Sequence, residues 1–180
     1  LQKVLCPIVL LVKTDSVEKY YAIYGNLTGK HSMSRIGKQP IIILKGVLVS
    51  LKNEIIKVQG QKGELSLSIP KSIGIAINDN KIVLHKLNTS KKTKQLYGLY
   101  RTLINNMILG VSEGYSKRLI IEGVGYRAHV NNTDLTLNIG YSHPITIKAP
   151  PGITLQSPNN TEIIISGTNK AIVGETAAKI

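Results

Sequence analysis

The 180-residue chain has one cysteine, Cys6, and neither tryptophan nor phenylalanine. A single thiol excludes an intrachain disulfide, a cysteine-built zinc site and a CxxC redox centre, and it fits a reducing compartment. Tyrosine is the sole aromatic, which argues against the aromatic platforms on which single-strand binders stack bases. Acidic residues are also scarce: 10 Asp and Glu stand against 23 Lys and Arg, a formal charge of +13. A basic excess in a chain that is 42% apolar describes a folded body that faces a polyanion, rather than a disordered tail. Long apolar runs are missing too. Val4 to Val12 is broken by Pro7 and falls far short of the roughly 20 residues that cross a bilayer, so no membrane partner is expected.

The charge is unevenly spread. Between Met33 and Arg101 thirteen basic residues face Glu54, Glu64 and Asp79, whereas from Thr102 onward six basic residues face five acidic ones. Residues 1–32 are read as a leader or extension, with Met33 as an alternative start. The densest cluster, Lys91, Lys92 and Lys94, precedes a long helical pattern, where cations oppose the helix dipole. That placement points to phosphate contact outside the helix.

Two periodicities organise the rest. VLVSL, EIIKVQ, ELSLSI, IGIAI and KIVLHK alternate and are separated by Asn, Gly and Pro punctuation, as antiparallel hairpins are. Leu96, Leu99, Tyr100, Leu103, Ile104, Met107, Ile108 and Val111 then fall at spacings of three and four, which predicts a helix of about five turns. The order repeats with RLIIEG, YRAHV, DLTLNI, ITIK, ITL and EIIIS, followed by a helix from near Lys170 with Ile172, Val173, Thr176, Ala177 and Ile180 on one face. A shift of 80 positions superposes Gly60 on Gly140, Pro70 on Pro150, Ile73 on Ile153, Asn80 on Asn160 and Ile55 on Leu135. The fold class expected is α+β, a tandem duplication of two small antiparallel-sheet-plus-helix domains at 33–113 and 114–180.

Catalytic signatures are few. Gly123, Gly125 and Ala128 match G-x-G-x-x-A, which makes a nucleotide-dependent enzyme the alternative reading, yet a period-two strand follows where a pyrophosphate-binding helix should open. A strand bend at the glycines is the competing reading, with strain on Gly125→Val if that residue adopts positive φ. His31, His85, His129 and His143 have no metal-ligand spacing, and no phosphate-binding G-x-x-x-x-G-K-[ST] loop occurs. No cofactor or metal is expected. A free-standing nucleic-acid binder is a further alternative.

SRIGKQPI from Ser34, VQGQKGELS from Val58, YGLYRTLINNMILGVSEGY from Tyr97, GVGYRA from Gly123, LTLNIGYSHP from Leu135 and VGETAAKI from Val173 together resemble bacterial-type large-subunit ribosomal protein six. The resemblance is greatest to plastid-encoded members and spans 33–180. It implies two similar α/β domains, no catalysis, and binding to large-subunit ribosomal RNA near the sarcin-ricin region and the stalk base. Neighbouring large-subunit proteins and nearby translation factors would be the other partners, in a plastid ribosome or alternatively the bacterial cytoplasm. Carried over by motif, Arg35 and Lys38 belong to an N-terminal arm, Lys62 to a basic hairpin turn and Arg101 to the helix block. Tyr126, Arg127, Tyr141, Ser142 and His143 form the second-domain signature, and Arg127, His143 and Lys179 are the strongest candidates for RNA contact. The family normally continues past the last helix into a basic, Pro-rich tail, whereas this sequence stops at Ile180 inside that helix.

If the glycines serve backbone geometry, titration calorimetry with millimolar NAD or FAD should give no saturable heat. Saturable binding would restore the enzyme reading.

Overall fold

In the computed structural model, residues 35–78 and 80–180 are described; the expected leader at 1–32 and Met33 lie outside them. A short turn of helix, α1 (Arg35–Lys38), leads into β1 (Ile41–Ile42), β2 (Leu48–Lys52), β3 (Ile55–Gly60), β4 (Gly63–Ser68), β5 (Ile73–Asn78), β6 (Lys81–Lys86) and the long helix α2 (Lys91–Ser112). Then come β7 (Tyr115–Ile120), β8 (Arg127–Asn131), β9 (Asp134–Asn138), β10 (Ile145–Lys148), β11 (Ile153–Asn159), β12 (Glu162–Gly167) and α3 (Lys170–Lys179).

The strands form four antiparallel three-stranded sheets whose orders are the same pair of patterns used twice. β1-β6-β5 and β2-β3-β4 belong to the first half, β7-β12-β11 and β8-β9-β10 to the second. Alternation along each strand sends one set of side chains inward. Ile56, Val58, Ile73, Ile82 and Leu84 meet Tyr97, Ile104, Ile108 and Val111 of α2 in one core. Leu135, Leu137, Ile153, Leu155, Ile163 and Ile165 meet Val173 of α3 in another, with Ile172, Ala177 and Ile180 partly buried against it. Each fully buried isoleucine contributes about 1.5–3 kcal/mol. The α+β fold with a duplicated sheet-and-helix unit is thus the architecture of this chain.

The duplication is sharper in the pairing than in the letters, and it corrects two of the matches made by sliding. Pro70 and Pro150 head equivalent turns, their carbonyls accepting from Ile73 N at 3.0 Å and Ile153 N at 3.2 Å. Leu67 pairs with Ile56 and Ile147 with Leu135, so the buried Leu135 corresponds to Ile56 and not to the exposed Ile55. The cause is one extra residue in the second hairpin turn: Val58 faces Leu65, but Leu137 faces Ile145. A bulge in β11 between Gln156 and Asn159 adds a second. Asn80 therefore corresponds to Thr161 rather than Asn160, and both carbonyls take the same bond, from Ile43 N and Ile121 N.

Helix α2 begins five residues before the apolar pattern does. Its first turn is polar and is fixed by Ser90, whose Oγ accepts from Thr93 N at 3.2 Å and lies 2.8 Å from the buried Thr93 Oγ1. The other end sits where the two halves meet. Val111 O accepts from Lys62 N at 3.0 Å, the Lys62 ammonium donates to Glu113 O, and Tyr115 Oη donates to Asn106 O at 3.2 Å. A Cβ added at Gly110 would run into the carbonyl oxygen of Thr168, from the turn before α3.

Gly110→Ala gains about 1 kcal/mol of helix propensity but must push the Thr168 backbone away, an overpacking cost of about 1–3 kcal/mol. Net destabilisation in urea melts is expected. A stabilised variant would show that the two backbones do not touch there in solution.

Candidate nucleic-acid interface

The sequence-predicted site residues separate into four places. In the first half, α1 packs on α2 so closely that a Cβ on Gly37 would enter the Tyr97 ring. Tyr97 is 6% exposed, and the Lys86 Nζ lies 5.7 Å from its ring centroid on a cation–π contact. Lys38 and Lys94 stand near enough to act on Lys86: partial burial, then Lys94, then Lys38 hold its ammonium below the usual lysine range. Arg101 Nε donates to Gln39 O at 3.3 Å, tying the arm to the helix two turns on. Lys91 and Lys92 are exposed in the same first turn of α2, which carries no acidic residue. Lys38, Lys91, Lys92 and Lys94 are therefore brought to one end of the first half, with Arg101 about 10 Å further along α2. Arg35 opens α1, and its side chain lies outside the described part.

Lys86 was missed by sequence reasoning. It ends an alternating strand, and only the packing of α1 against α2 brings the charges of Lys38 and Lys94 to bear on it. Lys62 is the opposite case. It sits in the β3–β4 turn as expected, but its ammonium is bonded to the carbonyl that ends α2, where a cation complements the helix dipole. It is about 30 Å from the Lys94 end, judged by a 1.5 Å rise per residue.

In the second half the structure brings two signature segments together. The Tyr126 ring lies over Gly123, where any Cβ would strike it, and beside Gly140, whose added Cβ would be 3.5 Å from Tyr126 Oη. One tyrosine thus pins the GVGYRA loop to the Gly140–Pro144 loop. Tyr126 and Arg127 on one loop, Tyr141, Ser142 and His143 on the other, are all exposed, with Val124 fully so at the tip. Ser142 Oγ lies 3.4 Å from His143 Nδ1. The extra residue of the second hairpin turn lengthens this loop. Strand β8, not a helix, follows the glycines, so the loop presents no helix N-terminus to a pyrophosphate. Gly125 has φ +79, the left-handed region in which a β-branched residue is strained. Lys179 stands apart on α3, in a 2.8 Å ion pair with Glu175, whose carboxyl is held below its usual range by the hydrogen bond and charge of Lys179.

Among the described residues no cluster of three His, Cys, Asp or Glu could hold a metal, and no helix is long and apolar enough to cross a membrane. One open hollow is lined by Leu51, Ile69, Ile73 and Leu87, and another by Lys62, Glu113, Tyr115 and Gly152. What the chain offers is surface: a lysine-rich end on one half and a loop cluster with tyrosines, Arg127 and His143 on the other.

Comparison with known proteins narrows the class. The family described as Ribosomal protein L6 matches residues 43–114 and 122–180. A protein described as large ribosomal subunit protein uL6 from Trichodesmium erythraeum is 49% identical over 148 residues, covering 82% of this chain and 83% of the relative. The uL6c protein of Guillardia theta and the uL6 protein of Streptococcus sanguinis are each 45% identical over 148 residues, with the same coverage. The chain belongs to the ribosomal protein L6 family.

Gly123→Ala should displace the Tyr126 ring and so uncouple the two loops, while Gly125→Ala, with nothing within 4 Å of the added Cβ, pays only for φ. The expected readouts are a shift of Tyr126 and Gly140 resonances for the first variant, and a loss of about 1–2 kcal/mol without that shift for the second. Identical spectra would show that Tyr126 does not bridge the loops.

Proposed function

We propose that the chain is a structural constituent of the large ribosomal subunit that binds large-subunit ribosomal RNA, and that it catalyses no reaction. Family membership over both halves carries this reading. The lopsided basic charge and the clustering of exposed signature residues support the RNA part. Within the subunit, the reading extends to the neighbourhood of the sarcin-ricin region and the stalk base, beside other large-subunit proteins and the docking translation factors. Arg35, Lys38, Lys91, Lys92, Lys94 and Arg101 in the first half would contact RNA, as would Tyr126, Arg127, Tyr141, Ser142, His143 and Lys179 in the second. Lys62 would serve it only from a position already committed to α2. Cyanobacterial and plastid relatives favour a plastid ribosome as the site of assembly, with a bacterial one as the alternative.

The test is sedimentation. In a sucrose gradient of the source lysate the protein should travel with large subunits and assembled ribosomes, and high salt should strip it from them. With isolated ribosomal RNA, affinity should fall steeply as salt rises, since each phosphate contact releases about 0.7–0.9 of a counterion. A protein that stays in the soluble pool and binds RNA with a flat salt profile would refute the assignment.

A further inference from the structure

One face of the duplicated unit is covered in the second half and open in the first. Ile73 pairs with Lys86 and Ile153 with Gly167, so Gly74 corresponds to Thr154 and Leu87 to Thr168. Thr168 is held against the first half: its carbonyl abuts Gly110 near the end of α2, and a Cβ on Gly63, beside the β3–β4 turn, would lie 3.7 Å from its Cγ2. The same turn brings a cation, Lys62, to the hollow that Thr154 and Thr168 line. Among the described residues Leu87 has no such cover and stands 60% exposed. It lines an open hollow with Leu51, Ile69 and Ile73, where Glu54 and Lys71 add the charged groups.

Glu54 is the informative member of that lining. The β2–β3 turn holds Asn53 at φ +47 and Glu54 at φ +64, a pair of left-handed residues for which Asn-Gly is the favoured sequence. In the second half Asn132 is left-handed at φ +54, but Thr133 is not, although its carbonyl accepts from Ala149 N as that of Glu54 accepts from Ile69 N. A glutamate thus occupies a position where glycine would relax the turn. Among the described residues the ion pairs are Arg118–Glu162 and Lys179–Glu175, so neither Glu54 nor Lys71 is in one. An exposed carboxylate beside two exposed leucines, in the strongly basic half, repels a phosphodiester and attracts an ammonium or guanidinium group. An apolar floor likewise suits an aliphatic or aromatic side chain, not a phosphate.

Resting on the reading of the chain as a constituent of the large subunit, we propose that the hollow between Leu51, Glu54 and Leu87 is a docking site for a protein segment of that subunit. The segment seats an apolar side chain against the two leucines and sets a lysine or arginine against Glu54. It does for the first half what the α2 end and the Lys62 turn do for the second, and it is a protein contact on a half whose other charge favours RNA.

The experiment reconstitutes the full chain into cyanobacterial large subunits with the photo-crosslinking residue p-benzoylphenylalanine in place of Leu87. The adduct is digested with protease or nuclease and mapped by mass spectrometry. The expected adduct is to one other large-subunit protein, at a segment that carries an apolar residue close to a lysine or arginine. Two variants then separate docking from folding. L87D should lower retention of that protein in salt-washed subunits by about tenfold. E54G, which relaxes the turn, should melt at or above the temperature of the unaltered chain and still weaken retention. Both variants should enter subunits and bind ribosomal RNA as the unaltered chain does. An adduct to RNA, to a second copy or to the chain's own N-terminal segment overturns the proposal, as does no adduct in assembled subunits or full retention by both variants. If the unaltered chain does not enter large subunits, the ribosomal reading falls first and this site with it.

Discussion

The last turn of α2 is the point on which both halves rely. A helix leaves its final carbonyls without partners, and a buried helix end must find them elsewhere. Here Leu109 O receives Glu113 N and Gly114 N at 2.9 and 3.1 Å, Ile108 O receives Ser112 Oγ at 2.9 Å, and Val111 O receives the backbone of Lys62. The β3–β4 turn thus closes the helix from the first half, while the Thr168 backbone presses on Gly110 from the second. Residues that look like free basic or flexible positions in the sequence, Lys62 and Gly110, are consumed by this closure.

The two copies have kept their cores and changed their edges. Pairing is equivalent through the hairpins, and the differences are single residues in a turn and in a bulge. Insertions at such places leave the inward alternation of the strands untouched, which is why they are tolerated. One of them lies in the loop that carries Tyr141, Ser142 and His143, so the small irregularity that breaks the sequence repeat also enlarges an exposed polar surface of the second half.

Much of the fold was legible. Period-two runs at 54–59, 64–69, 73–77 and 81–86 became strands at 55–60, 63–68, 73–78 and 81–86, because each buries one face and needs alternation to do it. The first turn of α2 was not visible as helix, since Lys91, Lys92, Thr93, Lys94 and Gln95 have no apolar period and the start signal is a single serine, Ser90. Strand β1, two residues long, has no pattern to read and exists by pairing with β6. The candidate site was legible as motifs but not as geometry: the meeting of the Gly123 and Gly140 loops under Tyr126, and of Lys38 with Lys86 and Lys94, depends on contacts between distant segments that no local period encodes.

Chain order gives the shared helix end a temporal meaning. Every residue of the first core, from Ile41 to Val111, and the Lys62 turn that closes α2, precede Tyr115, where the second unit's strands begin. During N-to-C synthesis the first core has all its parts before the second has any, and domains generally fold as they emerge. The finished end of α2 then offers the later turn at Thr168 a prebuilt ledge. The second copy would complete its fold against an existing template, so a duplicated architecture assembles in one direction, with its earlier half as the scaffold for its later one.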